Sequence, residues 1–148
     1  MKSFNLTHAG PCRTENLPIV GAEHFAPAAR DELASEMGLP GDVAEHLHKT
    51  FGDEAGKVAA LAHTGFEARL HAAHPYIEAE VVYAARHEYA QRAIDVIARR
   101  LPLALVDLVA AKTVLPRVID IMAKELGWDS IRCAEENNRA QQRLETAL

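Results

Sequence analysis

Eight histidines in a chain of 148 residues raise a metal site as the first chemistry to consider. His87-Glu88-Tyr89-Ala90-Gln91 begins like the zinc-protease helix HExxH. That motif needs two imidazoles one helical turn apart, and Gln91 stands where the second belongs, so the motif fails. His46 and His48 are two residues apart and point to different sides of a helix. His71 and His74 can approach one another in a loop, yet no cysteine or carboxylate arrangement completes a site around them. No serine or cysteine occupies a GxSxG elbow or similar setting for nucleophilic catalysis. The glycines fall at 10, 21, 38, 41, 52, 56, 65 and 127, no two separated by a single residue. A GxGxxG dinucleotide fingerprint and a P-loop are therefore both absent, and no βαβ pattern exists to carry one. These residues assign no catalytic group, no metal ligand and no cofactor contact.

One carboxylate stands out by position. Glu80 lies three residues after Ile77 and four before Ala84, which places it on the apolar face of a helix. An inward carboxylate needs a partner, and Arg99 and Arg100 at the end of the following helix are the expected ones. A structural ion pair is the stronger reading than a catalytic acid, because structural pairs also perturb titration.

The elements that would hold these residues are helical. From Pro75 to Trp128 the apolar residues fall into three stripes at spacings of three and four. They run through Ile77, Val81, Ala84 and Ala85, then Ile94, Ile97, Ala98 and Leu101, then Leu108, Leu115, Ile119, Met122 and Leu126. Such stripes describe an all-α bundle core, and the whole chain suggests six to seven helices. Residues 1–26 read as an extended N-terminal segment, broken by Gly10-Pro11 and Pro18, with Leu17, Ile19 and Val20 laid across a surface. The helical domain then occupies 27–148, with its core at 74–128. Helix begins near Pro27 and stops at Gly38. Asp42-Val43-Ala44-Glu45 has capping-box spacing, Gly52 ends that helix, and Asp53 caps the next, which turns Val58 and Leu61 inward. Thr64 to His74 reads as a loop. Pro116 leaves the carbonyl of Lys112 without its donor and predicts a kink. Asp129 caps a last, mostly polar helix expected to lie on the surface and fray.

Composition narrows the class further. A hydrophobic fraction of 49% and a charged fraction of 25% are those of a soluble globular domain. A net charge of −5 argues against nucleic acid as a partner. No apolar run reaches the ~18 residues of a membrane span. Cys12 and Cys133 read as two free thiols.

The exact wording of the central stretch adds what periodicity cannot. Pro75-Tyr76-Ile77-Glu78-Ala79-Glu80-Val81, Glu88-Tyr89-Ala90, Asp95 with Arg99-Arg100, Leu115-Pro116-Arg117 and Glu125-Leu126-Gly127-Trp128-Asp129 occur in one order and register. Together with Gly10-Pro11-Cys12-Arg13-Thr14 and Thr50-Phe51-Gly52-Asp53, they make the chain resemble the C-terminal helical domain of FAD-dependent, mitochondrial-type glycerol-3-phosphate dehydrogenases. Two places depart from the family pattern. Gln91-Arg92 replaces small or hydroxyl residues that would cap a helix, and Leu101-Pro102 follows the paired arginines.

That family oxidises sn-glycerol 3-phosphate to dihydroxyacetone phosphate and passes electrons through FAD to quinone. The resemblance implies that flavin and substrate sites belong to a preceding domain, so this segment is a structural or docking part, inactive alone, with no cofactor of its own. It implies the FAD-binding domain of the parent enzyme as partner, room for a homo-oligomer, and peripheral attachment to the mitochondrial inner membrane through the parent. Tyr76, Glu80, Arg99, Arg100 and Trp128 are the residues expected to hold family-level structural roles. The rival readings are a stand-alone helical interaction module and a small metal- or ligand-binding domain using His71 and His74.

Overall fold

A computed structural model describes residues 11–24, 26 and 29–146. Among these residues the chain forms seven α-helices: α1 (Ala29–Glu36), α2 (Gly41–Phe51), α3 (Ala55–Leu61), α4 (Glu78–His87), α5 (Leu103–Val106), α6 (Leu108–Leu126) and α7 (Ser130–Thr146). Wider π-type turns occupy Ala62–Phe66 and Asp95–Arg100. No strand forms among the described residues, only an isolated antiparallel bridge between Arg69 and Ile77. The all-α expectation therefore holds.

The apolar residues settle into two clusters with α4 between them. The larger joins Val81, Val82 and Ala84 of α4 to Val96, Ile97 and Leu101, to Leu115, Val118 and Met122 of α6, and to Ala140 and Leu144 of α7. The smaller joins Ile77, Ala79 and Tyr83 to Val43 and Leu47 of α2 and to Val58 and Ala59 of α3. The three stripes read from the sequence thus face the core through Ile77, Val81 and Ala84, through Ile97 and Leu101, and through Leu115, Ile119 and Met122. Their remaining members Ala85, Ile94, Ala98, Leu108 and Leu126 are half-buried. Alanines at so many buried positions let the helices approach closely, since a methyl group adds little to the interaxial distance.

Several local expectations are corrected. Asp42 does not cap α2: Pro40 is the N-cap and Asp42 lies inside the first turn, where its carboxylate accepts from Arg69 Nη2 at 2.6 Å. Asp53 caps no helix either, because a 3-10 turn over Gly52–Glu54 precedes α3. It instead accepts from the backbone N–H of His24 at 2.6 Å, tying the N-terminal segment down. Gly21 makes the companion contact, its carbonyl accepting from Asp53 N at 2.9 Å. A β-carbon at Gly21 would stand 2.6 Å from the Phe51 carbonyl oxygen, and its φ of 84° suits glycine. Yet Leu17, Ile19 and Val20 do not lie on this domain; they are exposed, at 68, 77 and 88%. The expected loop over 64–74 begins later, at Glu67, because the π turn continues the chain from α3. Helix α6 carries Pro116 in its interior and runs on to Leu126, so the proline does not end it, in keeping with the expectation of a kink rather than a break. The expected helix start near Pro27 and the first ten residues of the extended segment lie outside the described residues.

Two expectations about ends hold, and one divides. Asp129 Oδ1 accepts from Arg132 N at 2.7 Å and caps α7. Gly52 follows the last residue of α2. Helix α7 is polar over most of its surface, as read, but it buries Glu136, Ala140 and Leu144 against the larger cluster rather than lying loose. Both cysteines are free.

The ends of α4 and α6 differ in an informative way. Helix α6 closes on Gly127 in the left-handed region, φ 68°, the usual solution at that position. After α4, the left-handed residue is Tyr89, φ 58°, with its ring 85% exposed, and the chain closes through Ala90 N donating to Ala84 O at 3.0 Å. A non-glycine residue there carries a steric cost that glycine avoids. Tyr89→Gly is therefore expected to stabilise the isolated chain by about 0.5 to 1 kcal/mol, read as a rise in thermal midpoint at constant pH. A fall would show that the exposed tyrosine ring contributes packing that outweighs its backbone cost.

Candidate functional site

A connected polar arrangement surrounds Glu80. Its side chain is enclosed, with the residue 1% exposed. Oε1 accepts from the backbone N–H of Ile77 at 2.8 Å, the reaching-back half of a capping box at the start of α4. Oε2 lies 2.7 Å from His46 Nε2 on α2. The expected partners Arg99 and Arg100 are elsewhere. Arg99 bonds Asp95 at 2.7 Å, and Arg100 bonds Glu88 at 3.0 Å. The reason is geometric: α4 presents Glu80 toward α2, whereas the two arginines leave the far end of the π turn.

His46 links this carboxylate to a row of rings. It meets Tyr76 edge-on at 4.9 Å between centroids and lies 3.3 Å from Thr50 Oγ1 through Nδ1. Tyr76 in turn stacks on His74 at 5.8 Å, and His74 Nε2 is 3.1 Å from Asp107 Oδ2. Asp107 caps α6 through Oδ1, which accepts from Ala110 N at 2.9 Å. One run of contacts therefore joins the starts of α4 and α6 to α2. Tyr76 and Glu80, singled out from the sequence, belong to it; His46 and His74 join it as partners of these groups rather than as metal ligands, and Asp107 enters unannounced. Asp107 could have been read as a cap from its place before the α6 stripe. His46 had no such signal, since only the fold brings it to Glu80.

Titration follows from the surroundings. Burial pushes the Glu80 carboxyl above the ordinary range, opposed by the bond to His46. Burial also raises the Tyr76 phenol, with the Glu80 charge adding to it. The Ala110 N–H and then His74 hold Asp107 below the usual range. A second buried phenol, Tyr83, is pushed up to about 12 by burial and by its hydrogen bond to Glu54 Oε2 at 2.9 Å. Glu80, Tyr76 and Tyr83 are buried and engaged with neighbouring groups, whereas the Asp107 side chain is partly exposed.

Two bidentate ion pairs fasten α4 to α6. Arg117 holds the buried Glu78 at 2.7 Å through both Nε and Nη2. Arg86 holds Glu125 at 2.6 and 2.8 Å. The matched fork geometry makes these stronger than single contacts. Glu136 of α7 is fully buried, accepting from Ala93 N at 3.1 Å and paired with Arg132 at 3.2 Å. Its spacing of four from Ala140 and eight from Leu144 was the same signal that marked Glu80. Trp128 is half-buried at the joint of α6 and α7, with the Arg132 guanidinium 5.3 Å from its ring centroid. His71 and His74 do approach, at 5.6 Å between rings. No group of three or more His, Cys, Asp or Glu side chains that would hold a metal ion occurs among the described residues.

Glu80 provides the test of this reading. Glu80→Ala leaves the Ile77 N–H and His46 without their partner and is expected to cost roughly 3 kcal/mol. Glu80→Gln keeps an acceptor for Ile77 and a donor for His46, and is expected to stay within about 1 kcal/mol of the parent. A carboxyl whose folded pKa is raised binds more protons folded than unfolded. Its contribution is therefore full below the ordinary carboxylate range and is lost as pH rises through the raised folded value. Chemical denaturation across that window should show the parent falling relative to Glu80→Gln. Parallel pH profiles would remove Glu80 as the titrating group.

Comparison with known proteins places this arrangement. Residues 12–133 match the family described as the C-terminal domain of alpha-glycerophosphate oxidase. A probable mitochondrial glycerol-3-phosphate dehydrogenase of Dictyostelium discoideum is 43% identical over 136 residues, covering 91% of this chain and 21% of the relative. The mitochondrial glycerol-3-phosphate dehydrogenase of Mus musculus is 42% identical over 139 residues, covering 90% and 19%. The corresponding Arabidopsis thaliana protein is 37% identical over 161 residues, covering 99% and 26%. The chain thus spans about a fifth to a quarter of the length of these curated relatives. No solved structure matches it. With its helices, its Glu80 anchor and its α4–α6 clamps in the matched segment, the chain belongs to the family of the C-terminal domain of alpha-glycerophosphate oxidase.

Proposed function

We propose that this chain is the C-terminal accessory domain of an FAD-dependent sn-glycerol-3-phosphate dehydrogenase. It acts by docking on the flavin-bearing part of that enzyme and takes no chemical step itself. The observation that carries this is the family match, together with relatives that are several times longer and are named mitochondrial glycerol-3-phosphate dehydrogenases. Those names support a mitochondrial setting. Among the described residues no helix is long and apolar enough to cross a membrane.

FAD does not fit the residues of this chain. A dinucleotide site needs a strand, a glycine-rich turn and a helix whose first amides face the pyrophosphate. Among the described residues there is no strand to begin such a unit, and no two glycines in the chain are spaced by one residue. The buried acid Glu80 and the buried phenol Tyr83 are both spent on internal hydrogen bonds.

The surface supports docking. Leu17, Ile19 and Val20 are exposed apolar residues on a segment that is itself pinned by Asp53. Exposed Tyr89, held at positive φ, offers an aromatic ring to a docking partner. The flavin-bearing part of the same enzyme is the occupant we assign to these residues.

The purified chain is expected to be colourless and to leave a redox dye unreduced when given glycerol 3-phosphate. A flavin spectrum that persists through gel filtration would overturn the assignment. Mixed with the separately produced flavin-bearing part, the chain should co-elute with it. Leu17→Asp with Ile19→Asp should weaken that association at least about tenfold, the scale of removing two buried apolar side chains from an interface. Undiminished binding by the double variant would place the docking surface elsewhere.

A further inference from the structure

Between the π turn Asp95–Arg100 and helix α7 lies a cleft of about 780 Å³, lined by Arg92, Asp95, Arg99, Arg139, Gln142 and Arg143 among others. Four guanidinium groups meet a single carboxylate there, and that carboxylate is already committed. Asp95 Oδ1 accepts from Arg99 at 2.7 Å, and Oδ2 accepts from the backbone N–H groups of Gln91 and Arg92 at 3.2 and 3.1 Å. The side chains of Arg92, Arg139 and Arg143 have no ion-pair or hydrogen-bond partner among the described residues. Arg139 and Arg143 also stand one turn apart on α7, where like charges repel. A chain of net charge −5 therefore keeps three uncompensated positive charges around one concavity.

A second cavity of about 230 Å³ opens beside the first and is apolar, lined by Ile94, Ala98, Ala104, Leu105 and Leu144. It shares Ile94, Arg99 and Arg143 with the arginine cleft, so the two form one continuous feature with a cationic and an apolar half. Leu105 stands at its rim, 69% exposed. Guanidinium forks match phosphate oxygens bidentately, and three free charges match a phosphate dianion better than a lone carboxylate. The apolar half adds a place for hydrocarbon beside that phosphate.

We propose that this feature binds a phosphate-bearing amphiphile, with the phosphate among Arg92, Arg139 and Arg143 and the hydrocarbon against Ala98, Leu105 and Leu144. The same chemistry is offered by a free phosphate ester with an apolar chain and by an anionic headgroup in a bilayer. The site is independent of the docking role proposed above, and its test does not involve the flavin-bearing part.

Titration calorimetry of the full 148-residue chain with two probes reads the site directly: inorganic phosphate, and dihexanoyl phosphatidic acid below its micellar concentration. The lipid is expected to bind at least about tenfold more tightly than inorganic phosphate, the added affinity coming from buried methylenes. Arg139→Gln with Arg143→Gln should weaken lipid binding by at least about tenfold, with circular dichroism unchanged and the thermal midpoint no lower than the parent's. Leu105→Ser should weaken the lipid and leave inorganic phosphate as it was. Sedimentation with phosphatidylcholine vesicles containing phosphatidic acid, but not with phosphatidylcholine alone, identifies a bilayer headgroup as the source. Lipid binding without sedimentation identifies a free amphiphile. Absence of binding by dihexanoyl phosphatidic acid overturns the proposal, as does equal affinity for the two probes or full affinity in the arginine double variant.

Discussion

A buried carboxylate tolerates few arrangements, and the fold is built around satisfying one. Glu80 sits in the first turn of α4 with both oxygens engaged, one by its own helix start and one by His46 of α2. Left alone in that enclosure, an ionised carboxylate would cost far more than a single hydrogen bond returns. The position of α2 against α4 is therefore set by a directional contact as well as by apolar packing. From that contact the Tyr76–His74–Asp107 row carries the same fixing to the start of α6.

Ion pairs then complete what the apolar stripes begin. Helices α4 and α6 already share an apolar face, but apolar contact alone allows sliding along the ridges. Arg117 on Glu78 and Arg86 on Glu125 join opposite ends of α4 to α6, and each fork accepts only one register. Glu136 performs the parallel task for α7, tying it to the Ala93 amide and so to the segment between α4 and α5. The polar groups inside this domain are best understood as locators for helices whose alanine-rich faces are too smooth to locate themselves.

The sequence made the helical stripes legible because period and composition agree along Pro75 to Trp128, and most members of each stripe are buried or half-buried in the core. It also marked Glu80 as inward, since a charge at an apolar position is visible without coordinates. Partner choice was not legible. Arg99 and Arg100 were near Glu80 in sequence terms and of the right charge, whereas His46 lies 34 residues away on another element. Capping failed for a related reason: Asp42 and Asp53 have cap chemistry, but Arg69 and the His24 amide compete for them through contacts that only the tertiary fold creates. The departure at Gln91-Arg92 resolves in the same way, with Asp95 accepting from both amides in place of a cap. The family was legible only from the wording of the chain and not from its pattern, because apolar stripes at helical spacing are common to unrelated helical domains.

Helix α4 faces the two apolar clusters on opposite sides, contributing Ile77, Ala79 and Tyr83 to one and Val81, Val82 and Ala84 to the other. A shared wall makes the halves unequal partners in stability. The smaller cluster can open by releasing α2 and α3 while α4 remains seated on α6 through its arginine clamps. The reverse opening would strip α4 of both clamps and the larger core at once. Such a wall gives native-state fluctuations a direction, with α2 and α3 the elements free to open first and α6 the one held by both clamps and the larger core.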